Sequence, residues 1–116
     1  MKQKKVGLIF LLAGILSSGC SNPGIDKLAN CLTANGVKMY GAFWCPHCAS
    51  QKEMFGSAYR KIDYVECSLP DRSGQTQICK DENIESYPTW EFKDKSKLTG
   101  EQTLEALAKK SGCELK

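Results

Sequence analysis

Seven cysteines in 116 residues, two of them held in Cys45-Pro46-His47-Cys48, constrain this chain more than any other feature. Such a count means a disulfide framework, a metal site or thiol chemistry, and the compartment decides how it is read. The N-terminal end speaks to the compartment. Lys2, Lys4 and Lys5 precede an apolar run of eleven residues from Val6 to Leu16, and Ser17, Ser18 and Gly19 follow. A membrane-spanning helix needs about twenty apolar residues, so this run is too short for one. A basic segment, a short apolar segment and small residues together read as an export signal. Residues 1–19 are therefore expected to be a signal peptide, 20–24 a tether and 25–116 one folded domain, placed in the cell envelope on the periplasmic side of a membrane.

Small residues leading into Cys20 resemble the bacterial lipobox, in which the cysteine thiol is lipidated and becomes the new N-terminus. That resemblance implies a lipid anchor at Cys20. Cleavage nearby by an ordinary signal peptidase, with Cys20 a bystander, is the alternative. The formal charge of +3 belongs to the signal: without Lys2, Lys4 and Lys5, thirteen basic side chains face thirteen acidic ones. A neutral domain has no electrostatic footprint for nucleic acid. Outside the cytosol disulfides persist, and Cys31, Cys45, Cys48, Cys67, Cys79 and Cys113 remain once Cys20 is set aside. Six cysteines allow fifteen connectivities, and counting does not choose among them.

Ile25, Leu28, Ala29 and Leu32 predict a helix over 25–34, ended by Asn35-Gly36. Val37 to Phe43 reads as a buried strand. Pro46 suits the first turn of a helix, continued to residue 61 by Met54, Phe55, Ala58 and Tyr59. Ile62 to Cys67 reads as a strand, 69–74 as a loop and 75–83 as a short helix. Tyr87-Pro88 leads into a strand at 89–92, a turn at 93–96, a short strand at 97–99 and a helix over 101–110. A strand–helix–strand unit followed by a hairpin and a terminal helix predicts an α/β fold, a central mixed sheet flanked by helices. Lys93, Lys95 and Lys97 read as solvated edge residues, and Trp90 as core.

At a strand–helix junction, Cys45 meets the unpaired N–H groups and positive dipole end of the helix, which favour an anion. The thiolate is the attacking form. Cys48 lies one turn on, near enough to close a small disulfide. His47, the single histidine, sits between the two sulfurs in sequence; a protonated imidazole there favours the Cys45 thiolate, stabilises the reduced form and makes the disulfide a stronger oxidant. A four-thiolate zinc site from Cys45, Cys48, Cys67 and Cys79 is the alternative, but structural zinc sites usually bring a second close pair. No metal is expected. Tyr87-Pro88 opening a strand suits a cis proline facing an active site.

Gly41-Ala42-Phe43-Trp44-Cys45-Pro46-His47-Cys48, followed by Tyr87-Pro88-Thr89-Trp90, resembles the thioredoxin superfamily. With Lys38-Met39-Tyr40, Tyr64-Val65-Glu66-Cys67, Ile78-Cys79-Lys80 and Gly100-Glu101-Gln102, it resembles more narrowly the thioredoxin-like domain fused to or partnered with bacterial and plant vitamin K epoxide reductase homologues. The Cys-Pro-His-Cys tetrapeptide is shared with DsbA-type oxidases. The resemblance implies a thioredoxin fold and thiol–disulfide exchange, with Cys45 attacking, Cys48 resolving, Pro88 cis and the Tyr87 backbone pairing with a substrate strand. It implies a membrane reductase homologue, expected as a separate chain, that reoxidises the pair and passes electrons to quinone. No other cofactor is expected, and the domain is expected to act as a monomer on protein thiols. The family's second cysteine pair corresponds to Cys67 and Cys79, expected as a structural disulfide, with a second redox relay as the alternative. Thioredoxins keep a buried carboxylate six residues before the first cysteine; Met39 stands there, and its strand holds no acid. That absence leans towards an oxidase.

Cys31 and Cys113 could pair or stay free. Trp44 is a candidate for the peptide-binding surface. Three functions are open on the residues: an exported oxidase of folding envelope proteins, an envelope disulfide reductase or isomerase, and a non-enzymatic lipoprotein whose disulfides only brace a binding module.

Overall fold

The structure, a computed structural model, describes residues 22–116. The expected signal and Cys20 lie outside the described residues. The first helix, α1 (Pro23–Ala34), is capped by Asn22, whose side chain accepts from the backbone N–H groups of Gly24 at 2.9 Å and Ile25 at 3.4 Å. The sequence reading put Asn22-Pro23-Gly24 in a tether. They form the cap and first turn instead, because an Asn cap followed by Pro at the first helical position is itself a helix start. Leu28, Ala29 and Leu32 give α1 its buried stripe. A Cβ on Gly24 would lie 2.6 Å from the Lys116 carbonyl carbon, so the two ends of the described chain touch.

Strand β1 (Lys38–Gly41) is followed by α2 (Pro46–Phe55), β2 (Asp63–Glu66), α3 (Gln77–Asp81), β3 (Thr89–Glu91), β4 (Lys97–Thr99) and α4 (Leu104–Ser111). The sheet order is β2-β1-β3-β4. β1 and β2 run parallel, and β3 and β4 pair antiparallel. A parallel pair needs a crossover, and α2 supplies it. This is the expected mixed sheet with flanking helices, a thioredoxin-like α/β fold. The helix expected to reach residue 61 stops at Phe55, and a 3₁₀ segment, Gly56–Lys61, completes the run. Gly56 is a poor helix former, so the break falls there.

Side chains alternate across β1. Met39 faces Trp90 on β3, and both join Leu28, Leu32, Phe55 and Leu107 in the main core. Tyr40 points the other way, to Cys67, Cys79 and Ile84. Lys95 and Lys97, read as solvated edge residues, approach the buried Glu91 carboxylate at 3.7 and 3.5 Å, and the Tyr40 hydroxyl donates to it at 3.4 Å. A carboxylate removed from water needs such partners.

Among the described residues, two disulfides brace the fold. Cys67–Cys79 joins the end of β2 to α3, as expected. Cys31–Cys113, left open by the sequence, ties α1 to the segment after α4 across 82 residues. The Asn35 side-chain amide donates towards both of its sulfurs. Among the described residues, no helix is long and apolar enough to cross a membrane.

Candidate active site

The turn after β1 delivers the Cys45–Cys48 pair to the start of α2. The Cys45 N–H donates to the Ala42 carbonyl at 3.0 Å. Cys45 is the helix cap, in extended backbone geometry, and Pro46 opens the first turn. Both cysteines are buried free thiols. Cys67 and Cys79 are consumed by their own disulfide, which leaves the zinc alternative two thiolates short. The Cys45 thiol donates to the Tyr87 carbonyl at 3.7 Å. The Tyr87-Pro88 peptide is cis, as expected, and Pro88 is fully buried behind it.

Trp44 and Tyr87 meet edge to face, with ring centroids 6.1 Å apart. The Trp44 Nε1–H donates to Ser68 Oγ at 2.8 Å, and Gln75 Nε2 donates to the Tyr87 hydroxyl at 3.0 Å. These bonds fix both rings beside Cys45 and leave Trp44 42% exposed. Phe43, 55% exposed, extends the aromatic rim, with the Arg72 guanidinium 5.5 Å from its ring centre. The sequence reading did not single out Phe43; its place at the end of an apolar strand made it look like core.

His47 is largely exposed, and its Nδ1 faces Glu101 Oε1 at 3.0 Å. The sequence reading aimed this ring at the two sulfurs and missed Glu101. A carboxylate so close offsets part of the positive charge an imidazolium would offer Cys45.

Gln51, missed by the sequence reading, is a fully buried polar residue that holds α2 in place. Its Oε1 accepts from Trp90 Nε1 at 3.0 Å and the Gln102 N–H at 2.8 Å, while its Nε2 donates to the Gln102 carbonyl at 3.0 Å. The cysteine-bearing helix is thereby locked to β3 and to the segment entering α4.

Cys48 lies behind Cys45, against the sheet. Burial pushes its thiol up to about 12; a backbone hydrogen bond at Ala42 opposes this, and Cys45 and Glu66 add to it. At neutral pH this thiol is protonated. Glu66 reaches the site because the parallel register sets it opposite Gly41. Its Oε1 accepts from the Tyr64 hydroxyl at 3.1 Å, and its Oε2 accepts from the N–H groups of Phe43 at 3.2 Å and Ser68 at 3.0 Å. β1 indeed carries no acid, but a carboxylate arrives from β2. The period-two spacing of Tyr64 and Glu66, which places both on one face of β2, was the available signal.

No family model matches the chain. The chain is 46% identical over 102 residues, 84% of its own length, to a protein of Arabidopsis thaliana named thiol-disulfide oxidoreductase LTO1. An aligned stretch of that length includes residues 45–48 wherever it begins. The chain spans only about a quarter, 27%, of that relative. It is thus similar to part of a thiol-disulfide oxidoreductase over a stretch that carries the Cys45–Cys48 pair.

Proposed function

We propose that this chain is an exported thiol–disulfide oxidoreductase that oxidises cysteines of folding envelope proteins. The observation that carries the reading is the unbonded Cys45–Cys48 pair at the start of α2, with the Cys45 thiol on the Tyr87 carbonyl, beside two disulfides that are closed. The likeness to thiol-disulfide oxidoreductase LTO1 supports the same chemistry. In the oxidising direction a substrate thiolate attacks Cys45 Sγ of the Cys45–Cys48 disulfide, and Cys48 leaves as thiolate. A second substrate thiolate then attacks the substrate sulfur of the mixed disulfide and releases Cys45. The substrate gains a disulfide, and the pair gains two electrons. A membrane vitamin K epoxide reductase homologue takes them on to quinone. A lipid on Cys20 holds the domain near that partner; palmitate labelling is expected to mark the wild type and spare Cys20→Ala.

The direction is tested by equilibrating Cys45 and Cys48 with glutathione and by assaying oxidation of a reduced protein against reduction of insulin. The oxidase is expected above the thioredoxin-like value of about −270 mV. His47→Ala is expected to lower the potential by roughly 10–30 mV, where 30 mV corresponds to about 1.4 kcal/mol. The shift stays small because His47 is exposed and faces Glu101. An unchanged potential at a thioredoxin-like value would favour a reductase or isomerase. Glu66 beside Cys48 keeps that second reading open, since it removes the lean towards oxidation drawn from the acid-free strand. Absence of exchange in either direction would leave the braced binding module.

A further inference from the structure

We propose that Tyr64 and Glu66 form a proton relay for Cys48, with Tyr64 next to the sulfur and Glu66 as the terminal acceptor. The proposal rests on the oxidoreductase reading and extends it to the step in which the buried thiol must lose or regain its proton.

The geometry begins at Gly41. A Cβ there would lie 2.9 Å from Cys48 Sγ, 3.0 Å from the Tyr64 ring and 3.3 Å from the Tyr64 hydroxyl. Sulfur and hydroxyl therefore both lie close to one point, in a space that the missing side chain leaves open. The two atoms lie no more than about 6 Å apart, a gap that one bridging water can span. The Tyr64 hydroxyl already donates to Glu66 Oε1 at 3.1 Å. Cys48, Tyr64 and Glu66 line one cavity of about 320 Å3, which Lys52, Tyr59 and Phe43 also border. The other titratable groups facing Cys48 do not compete. Cys45 is the reacting partner. The Tyr59 hydroxyl is directed at Met39 Sδ, 3.7 Å away, and the Lys52 ammonium lies 5.4 Å from the centre of the Tyr59 ring. Burial and Glu66 both hold the Tyr64 hydroxyl protonated, so it passes a proton on as it receives one.

In the resolving step Cys45 carries a substrate sulfur. The Cys48 S–H proton moves to Tyr64 Oη while the Tyr64 proton moves to the Glu66 carboxylate. The Cys48 thiolate attacks Cys45 Sγ, the Cys45–Cys48 bond forms, and the substrate sulfur leaves as thiolate with the bonding pair. The pair is oxidised by two electrons and the substrate disulfide is reduced. When the pair acts as oxidant the path runs backwards, and Glu66 returns the proton to the departing Cys48. Cys48 is the catalytic residue; Glu66 acts through Tyr64 and is a positioning residue.

The test uses the full chain in a Cys20→Ala background, so that Cys45 and Cys48 are the only thiols. Reaction with the aromatic disulfide 5,5′-dithiobis(2-nitrobenzoate) releases one chromophore when Cys45 attacks and a second when Cys48 resolves. Glu66→Gln keeps an oxygen for the Phe43 and Ser68 N–H groups, and Tyr64→Phe removes only a hydroxyl. In both, the first phase is expected within about two-fold of the parent and the second slowed about 10-fold or more near neutral pH. The second phase should also become a simple rise with hydroxide concentration. An unchanged second phase, in rate and pH profile, in both variants would overturn the relay. A parent protein that releases no chromophore would instead overturn the oxidoreductase reading.

Discussion

Cys45→Ser is expected to reduce exchange to the uncatalysed background, a loss of roughly three orders of magnitude or more. Serine does not ionise near neutral pH and cannot form the S–S bond that the reaction passes through. Cys48→Ser is expected to act differently. Cys45 keeps its place at the start of α2 and its hydrogen bond to the Tyr87 carbonyl, so the first attack proceeds and the mixed disulfide accumulates. Non-reducing electrophoresis and mass spectrometry after mixing with a disulfide substrate separate the two outcomes. Adducts that accumulate on Cys45→Ser rather than on Cys48→Ser would reverse the roles assigned to the two sulfurs.

The second large effect concerns stability. Opening Cys31–Cys113 by Cys31→Ser with Cys113→Ser releases a loop of 82 residues. In the chain-entropy model a loop of that length contributes about 4.5 kcal/mol, and the twelve-residue Cys67–Cys79 loop about 3 kcal/mol. At roughly 4–8 °C per kcal/mol for a domain of this size, the first variant is expected to melt about 20 °C or more below the wild type. Thermal unfolding followed by circular dichroism measures it. A melting temperature no lower than that of the Cys67→Ser, Cys79→Ser variant would mean that the unfolded chain is already restrained by other contacts.

The sequence was most legible where local chemistry and tertiary structure agree. The Cys-Pro-His-Cys junction, the cis Pro88 and the Cys67–Cys79 brace follow from motifs and a family likeness, and the order of helices and strands follows from periodicity. It was least legible where a side chain is useful only to a neighbour distant in sequence. Gln51 reads as an ordinary exposed helix residue until Trp90 and Gln102 arrive to satisfy it. Glu101 reads as the opening acid of a helix, yet it meets His47 before α4 begins. Glu66 reads as the polar half of an alternating strand, and only the parallel register with β1 brings it to Cys48. Cys31 and Cys113 could not be joined by counting, because their pairing depends on how α1 lies against the last segment of the chain.

That last segment ends against Gly24, where no side chain would fit between the two ends of the described residues. The domain is thus closed like a clasped bracelet: entry and exit share one spot, and the Cys31–Cys113 bond is the clasp. A domain with adjacent ends can be carried on a longer polypeptide at either terminus, or inserted into one, with little distortion of its interior. A flexible spacer joined to Asn22 or to Lys116 would leave from the same place, so either fusion should present the aromatic rim of Phe43 and Trp44 in the same direction.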